Sequence, residues 1–271
     1  MNEPIISVRN LTFKYPTGKI ALKDLTFDIK RGESVAFIGA NGAGKSTLLL
    51  HFAALNRPSK GDVSILGMSI KDQKAKYKIR QRVGLVMQDP DDQLFMQTLW
   101  EDVAFGPLNM GLPRDDVEKR VSEALESVGL KGLENEYPHH LSFGQKKRAA
   151  IATVLSMNPE IIVMDEPTAN LDPLGVKDFL KIINNLKKAG KTIIIATHVV
   201  DLIPKVAERC IVMNNGEIVR DGRTKDVLID RKFLLNYGLE SPIVTRLFLE
   251  INYREIPITL EEAIEILRSQ E

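Results

Sequence analysis

Cysteine is nearly missing from this chain: Cys210 stands alone, so an intrachain disulfide and a cysteine-based zinc cluster are both excluded. Its flanks, Glu208-Arg209-Cys210-Ile211-Val212, read as the start of a strand, and such thiol usage is that of a reducing cytoplasm. An excess of charge of one sign is also lacking. The 37 Lys+Arg residues balance 36 Asp+Glu to a net charge of +1, so no global field draws the protein to nucleic acid or anionic lipid. Any such partner is met through a local site. No apolar run approaches the ~20 residues that a membrane-spanning helix needs, and Met1-Asn2-Glu3-Pro4 lacks the basic-then-apolar character of a signal peptide. The chain is therefore expected not to cross a membrane by itself. No solenoid-type repeat is visible. What is present, 271 residues with 44% hydrophobic and 27% charged, is ordinary for a soluble globular protein with a large core.

The most informative stretch is Gly39-Ala40-Asn41-Gly42-Ala43-Gly44-Lys45-Ser46, followed by Thr47, which fits the phosphate-binding template G-x-x-x-x-G-K-[ST] without a mismatch. It occurs once. Ser34 to Ile38 before it reads as a buried strand, and Leu48 to Leu55 after it reads as a helix. In that context the glycines let backbone N–H groups approach polyphosphate oxygens, the helix N-terminus adds partial positive charge, and Lys45 adds a full one. Ser46 is placed to ligate Mg²⁺. A nucleoside triphosphate is the expected ligand.

The N-terminal part reads as short, partly antiparallel strands, Ile5 to Leu11, Thr26 to Ile29, Ser34 to Ile38 and Gly61 to Leu66, with Val83 to Met87 as a further buried strand. An acidic loop, Gln88-Asp89-Pro90-Asp91-Asp92-Gln93, follows. Over Asp115 to Gly129 the residues Val117, Val121, Leu125 and Val128 recur at helical spacing, with Asp115 as the candidate cap and Gly129 as the stop. Later, Ile161 to Met164 and Thr192 to Ala196 are continuous apolar runs alternating with helices, the pattern of a parallel sheet covered on both faces. From about Thr224 the periodicity weakens. Leu260 to Arg268 is read as an amphipathic helix with Ile264 and Leu267 facing inward.

Met164-Asp165-Glu166-Pro167 closes a buried strand with adjacent carboxylates, whose side chains point in different directions. Asp165 is the candidate for the Mg²⁺ shell, through water, and Glu166 the group to polarise an attacking water. His198, at the carboxyl end of Ile193 to His198, is placed to hydrogen-bond a γ-phosphate or that water.

Gly39 to Thr47, Leu141-Ser142-Phe143-Gly144-Gln145, Met164 to Pro167 and His198, in this order and at these intervals, resemble the ATP-binding cassette ATPases of ABC transporters over roughly residues 5–225. The resemblance implies an α/β P-loop NTPase cassette with a mixed-sheet core, an antiparallel β subdomain and a helical signature subdomain over about 90–158. It implies an ATPase domain over residues 1–225 and a small C-terminal extension over 226–271. By the same resemblance Tyr15 stacks on adenine, Gly39, Asn41, Gly42, Gly44, Lys45, Ser46 and Thr47 hold ATP, and Gln88 senses Mg²⁺ and the attacking water. Ser142, Gly144 and Gln145 form the signature that closes over a nucleotide held by a second subunit, and Asp172 couples the two sites across the dimer. Lys45, Gln88, Glu166 and His198 are thus the catalytic candidates, and Ser46, Gln88 and Asp165 the metal candidates. Ser142 and Gly144 precede a helix read as Lys146 to Met157, a second N-terminus suited to phosphate. Phe143 departs from the glycine usual in the signature.

Gln88 to Phe95, with Phe143 and Gln145-Lys146-Lys147-Arg148, resembles the ATPases of energy-coupling factor importers, including the cobalt-type members. The implied partners are a second ATPase, as homodimer or heterodimer, an integral membrane coupling subunit and a substrate-binding membrane subunit, with no nucleic acid, at the cytoplasmic face of the membrane. Cobalt is the first expected cargo, nickel the second and a vitamin the third. The three aspartates of the acidic loop are expected to receive basic coupling helices, with Leu94 and Phe95 as an apolar groove beside them. The rival readings are a soluble ABC ATPase acting on ribosomes or DNA, a P-loop kinase or GTPase, and a structural protein with a dead nucleotide site. The single cassette and balanced charge oppose the first, and the signature with Tyr15 opposes the second. The third is opposed by the presence of every catalytic position.

Overall fold

Strands whose side chains alternate between buried and exposed form one sheet of this protein, and strands buried on both faces, with one exposed edge strand, form the other. The computed structural model describes residues 3–269, so Met1 and Asn2 of the N-terminal reading lie outside the described residues. The first sheet is antiparallel, with β1 (Ile6–Lys14), β2 (Ile20–Ile29), β4 (Lys60–Ile65) and β5 (Met68–Ser69) in the order β2-β1-β4-β5. The second contains β3 (Ser34–Ile38), β6 (Val83–Val86), β7 (Ile161–Asp165), β8 (Thr192–Thr197), β9 (Arg209–Asn214) and β10 (Glu217–Arg223), in the order β10-β9-β3-β8-β7-β6. Its strands β9 to β6 are parallel, and β10 returns antiparallel through Asn215-Gly216, both at positive φ as a tight hairpin turn needs.

Eleven α-helices occur among the described residues: α1 (Lys45–Phe52), α2 (Gln73–Arg82), α3 (Leu99–Asn109), α4 (Arg114–Ser127), α5 (Phe143–Leu155), α6 (Pro173–Lys188), α7 (Ile203–Val206), α8 (Thr224–Leu228), α9 (Arg231–Asn236), α10 (Ile243–Glu250) and α11 (Leu260–Arg268). The two faces of the parallel sheet divide the core. Val35, Phe37, Val163 and Ile194 face the antiparallel sheet and α1, while Ala36, Ile38, Ile162 and Ile195 face α3 to α6. This two-sided burial is why the central strands read as unbroken apolar runs.

Several expectations need correction. Helix α4 starts after Pro113, and Asp115 lies in its first turn without capping it, since Pro113 supplies the break and a carboxylate there serves the helix dipole. Helix α5 begins at Phe143, not Lys146, because Ser142 caps it. In α11 the bounds match, but Ile264 and Leu267 are exposed, and Ala263 is the residue turned inward. Beyond Thr224, Leu234, Leu239 and Ile258 are buried in the same cluster as Leu202, Ile203 and Val206.

Candidate active site

Strand β3 ends at Ile38 and α1 starts at Lys45, so the loop between them is drawn across the carboxyl edge of the parallel sheet, where ligands of such folds bind. Gly44 caps α1 at φ +105°, and a Cβ there would lie 2.7 Å from the carbonyl of Ala21, so only glycine lets the loop lie against β2. Lys45 is buried, and its ammonium donates to the carbonyls of Gly39 (2.7 Å) and Ala40 (3.3 Å), folding the side chain back along the loop. Burial holds its pKa below the ordinary lysine value, with Glu166 and Asp165 opposing that shift. Tyr15, at the end of β1, reaches the same loop through a 2.9 Å hydrogen bond between its hydroxyl and Thr47 Oγ1.

A cavity of about 630 Å³ collects these residues: Tyr15, Asn41, Gly42, Gly44, Lys45, Ser46, Thr47, Gln88, Glu166 and His198 all line it. Gly39 stands at the root of the loop, packed so closely that a Cβ would meet the Met213 carbonyl at 2.3 Å. The cavity wall also carries Lys19, Lys23 and Asn215, which the sequence did not single out. Basic residues in a turn and a strand are unremarkable until folding points them at a phosphate loop.

Glu166 follows β7 and takes φ +43°, a conformation that L side chains avoid. It is held from several sides. Its N–H donates to the carbonyl of Ala196 (2.8 Å), Oε2 accepts from Thr197 Oγ1 (3.0 Å), and Oε1 lies 2.8 Å from His198 Nδ1. The His198 ring is half-exposed while the Glu166 carboxylate is buried, so the pair aims a carboxylate into the cavity with an imidazole at its rim. Thr197 was not foreseen; a threonine ending an apolar strand gives no signal of its partner.

Asp165 points elsewhere, as adjacent residues at a strand end do. It lines a second cavity of about 430 Å³ with Ser46, Gln88, Asp89, Asp92, Phe143 and Asn170. The two cavities share Ser46 and Gln88. Burial raises the Asp165 pKa, opposed by a hydrogen bond from Ser46, and its Oδ1 is buried without a hydrogen-bond partner. An orphaned carboxylate oxygen beside a serine hydroxyl and a glutamine is a hard-oxygen set, and it fits Mg²⁺.

The signature residues do not line the first cavity. Ser142 Oγ accepts from Gln145 N (3.3 Å), and Gln145 Oε1 accepts from Ser142 N (2.8 Å), a reciprocal capping box that occupies the Gln145 side chain in starting α5. Gly144 lies in the first turn of α5, near Leu171, and Asp172 caps α6 by accepting from Gly175 N at 2.7 Å.

In the acidic loop, Leu94 is the residue that differs from expectation. Asp89 accepts from Asp91 N, Asp91 pairs with Lys146 (2.7 Å), and Asp92 faces the second cavity. Leu94 is buried, whereas Phe95 is exposed and joins Tyr77, Leu85, Met87, Phe105 and Met157 along an apolar groove of about 580 Å³. Asp89, Asp91 and Asp92 are all exposed at the surface beside Phe95.

Comparison with known proteins bears on the family and the fold. Residues 22–169 match the family model described as ABC transporter. The chain is 52% identical over 256 residues to an energy-coupling factor transporter ATP-binding protein of Methanocaldococcus jannaschii, covering 94% of this chain and 92% of that protein. Among solved structures it is similar to cbiO1 of Clostridium perfringens, part of the ABC transporter complex cbiONQ, with a TM-score of 0.78, 40% identity, and coverage of 92% and 99%. It is also similar to a dimeric ATP-binding cassette in a post-hydrolysis state bound to ADP and Pi, with a TM-score of 0.75, 31% identity, and coverage of 81% and 98%.

Proposed function

This chain belongs to the ABC transporter ATPase family, and on that premise we propose that it is the ATP-hydrolysing subunit of an energy-coupling factor importer carrying a transition metal ion, cobalt before nickel or a vitamin. The ATPase domain spans residues 1–225, its helical part about 90–158, and residues 226–271 extend it. The observation that carries the reading is the division of the site. Phosphate loop, Glu166 and His198 converge on one cavity, while Ser142 and Gly144 line no part of it. A second ATPase, identical or similar, completes the pocket by bringing its signature over the nucleotide.

Within one chain, Tyr15 stacks on the adenine, the loop amides from Gly39 to Thr47 receive the phosphates, and Lys45 neutralises their charge. Glu166 orients the attacking water, and His198 holds that carboxylate and contacts the γ-phosphate. Mg²⁺ bound with the nucleotide supplies further charge neutralisation, held by Ser46, Gln88 and Asp165. Asp172 couples the two sites across the dimer. The membrane coupling subunit docks in the apolar groove around Phe95 and Phe105, at the cytoplasmic face of the membrane, so that closing and opening of the ATPase pair moves it. The cobalt assignment draws on Phe143 in the signature, the acidic loop after Gln88 and the similarity to a cbiONQ chain.

Replacing Glu166 with Gln is expected to slow hydrolysis about 10²–10⁴-fold, the range of a lost general base, while ATP affinity stays within threefold (roughly 0.6 kcal/mol). Loaded with MgATP, this variant is expected to sediment as a dimer. Near-parent turnover, or a variant monomeric both alone and with its membrane subunits, would refute the reading. For the cargo, uptake of labelled cobalt by cells carrying the membrane subunits should stop with the same substitution; vitamin uptake stopping instead would move the assignment to that class.

A further inference from the structure

The mechanism above makes no use of Lys147, yet this lysine is among the largest fully buried side chains of the protein, with 1% of its surface exposed. Its ammonium, on the second turn of α5, donates to two backbone carbonyls, that of Gln88 at 2.5 Å and that of Glu166 at 3.2 Å. The Phe143 ring lies 5.8 Å from the same nitrogen, and Asp89, Asp165 and Glu166 surround it with negative charge. Removing an ammonium from water costs several kcal/mol unless hydrogen bonds and counter-charges replace the solvent. Here they do. A methionine would fill the same volume without that cost, so the charge serves something besides packing.

What it touches is specific. Gln88 and Glu166 follow adjacent parallel strands, β6 and β7, and both side chains line the nucleotide cavity. Glu166 sits at φ +43°, and a residue in that conformation keeps it only when its surroundings hold it there. Its N–H is bound by Ala196 and its carboxylate by Thr197 and His198. Its carbonyl accepts from Ala169 N (3.1 Å) and from Lys147. Lys147 is the contact that reaches Glu166 from the helix capped by Ser142, five residues earlier.

We propose that Lys147 is a positioning residue for ATP hydrolysis: its ammonium holds the backbones of Gln88 and Glu166 in register with the signature helix α5, so that movement of that helix is transmitted to both. The inference rests on the proposed role of Glu166. Lys147 reaches carbonyl oxygens and lines neither cavity, so its loss acts on turnover and leaves nucleotide binding to the phosphate loop.

The test compares the full-length parent with Lys147→Met, Lys147→Gln and Glu166→Gln, reading kcat and KM for MgATP, equilibrium binding of a non-hydrolysable ATP analogue, and thermal unfolding. In Lys147→Met, kcat is expected to fall about tenfold or more (~1.4 kcal/mol in the barrier) with analogue affinity within threefold (roughly 0.6 kcal/mol). Lys147→Gln keeps one N–H donor on a shorter arm and is expected to recover part of the rate. If Lys147→Met does not fold, the same split in Lys147→Gln decides. A folded variant turning over within twofold of the parent (~0.4 kcal/mol), or losing kcat and affinity in parallel, overturns the proposal. Turnover that survives Glu166→Gln overturns the site reading beneath it, whereas turnover lost in Glu166→Gln but kept in Lys147→Met overturns only the role of Lys147.

Discussion

His51 is fully buried on α1, with Nδ1 2.8 Å from the Thr47 carbonyl and its ring edge-on to Phe13, centroids 4.8 Å apart. Nδ1 therefore carries the proton, and Nε2 has no partner. Burial holds its pKa below the usual 6.5, with the Thr47 hydrogen bond opposing. The sign follows from proton counting. Below about pH 6.5 the unfolded chain takes up a proton that the native ring refuses, so stability is present above that pH and is lost as the pH falls toward the folded value, at up to about 1.4 kcal/mol per pH unit. His51→Gln, which does not titrate, is expected to show a shallower fall in unfolding temperature between pH 7.5 and 5.5 (~2 pH units); an identical slope would remove His51 as the cause. Cys210 is also buried, and burial pushes its thiol up to about 12, leaving it an inert strand residue. At this scale the sequence showed chemistry wherever a motif spanned several positions, as from Gly39 to Thr47. His51, Thr197 and Lys147 were silent, since each acquires its role from a residue far along the chain.

Among the elements, α10 shows how distant residues finish what local sequence leaves open. Its N-cap position is Pro242, which offers no side-chain acceptor, and the first free N–H, on Ile243, is satisfied by Asp201 Oδ1 at 2.9 Å. Asp201 lies in the 3₁₀ turn Val200–Leu202 that follows His198. Asp201→Ala is expected to destabilise the protein by about 0.5–2 kcal/mol, the usual value of a helix cap, and Asp201→Asn by much less; urea unfolding measures both, and an unchanged midpoint for the alanine variant would refute the capping role. Element type was well legible where the pattern was long: the central strands and α11 stand where the sequence put them. Boundaries were less so. Helix α5 starts three residues early because the Ser142–Gln145 capping box outranks the apolar spacing, and β2 starts at Ile20, ahead of Thr26, because β1 supplies a partner along its length.

For the whole molecule, the apolar groove lies between the β6 edge of the parallel sheet and helices α3 and α5, where Phe95 and Phe105 meet edge-on at 5.1 Å. Because its two walls belong to different layers, a shift of the helical layer against the sheet reshapes it. In the proposed importer, Phe105→Asp is expected to weaken capture of the membrane coupling subunit about tenfold or more (~1.4 kcal/mol) with ATP binding within twofold (~0.4 kcal/mol); undiminished capture would place docking elsewhere. Of the three aspartates near Phe95, Asp91 pairs with Lys146 and Asp89 accepts from the Asp91 amide, and all three remain exposed.

The sequence by itself determined the phosphate loop, the carboxylate pair at the carboxyl end of β7, the cassette family and the alternation that yields a two-faced parallel sheet, since each is written in contiguous residues or in a period. Tertiary structure alone decided that Glu166 is clamped by Thr197 and His198, that Asp165 opens to a separate cavity, and that the tail beyond Thr224 enters the common core. Those facts depend on which strand lies beside which, and strand order is a property of long-range packing that no local window contains.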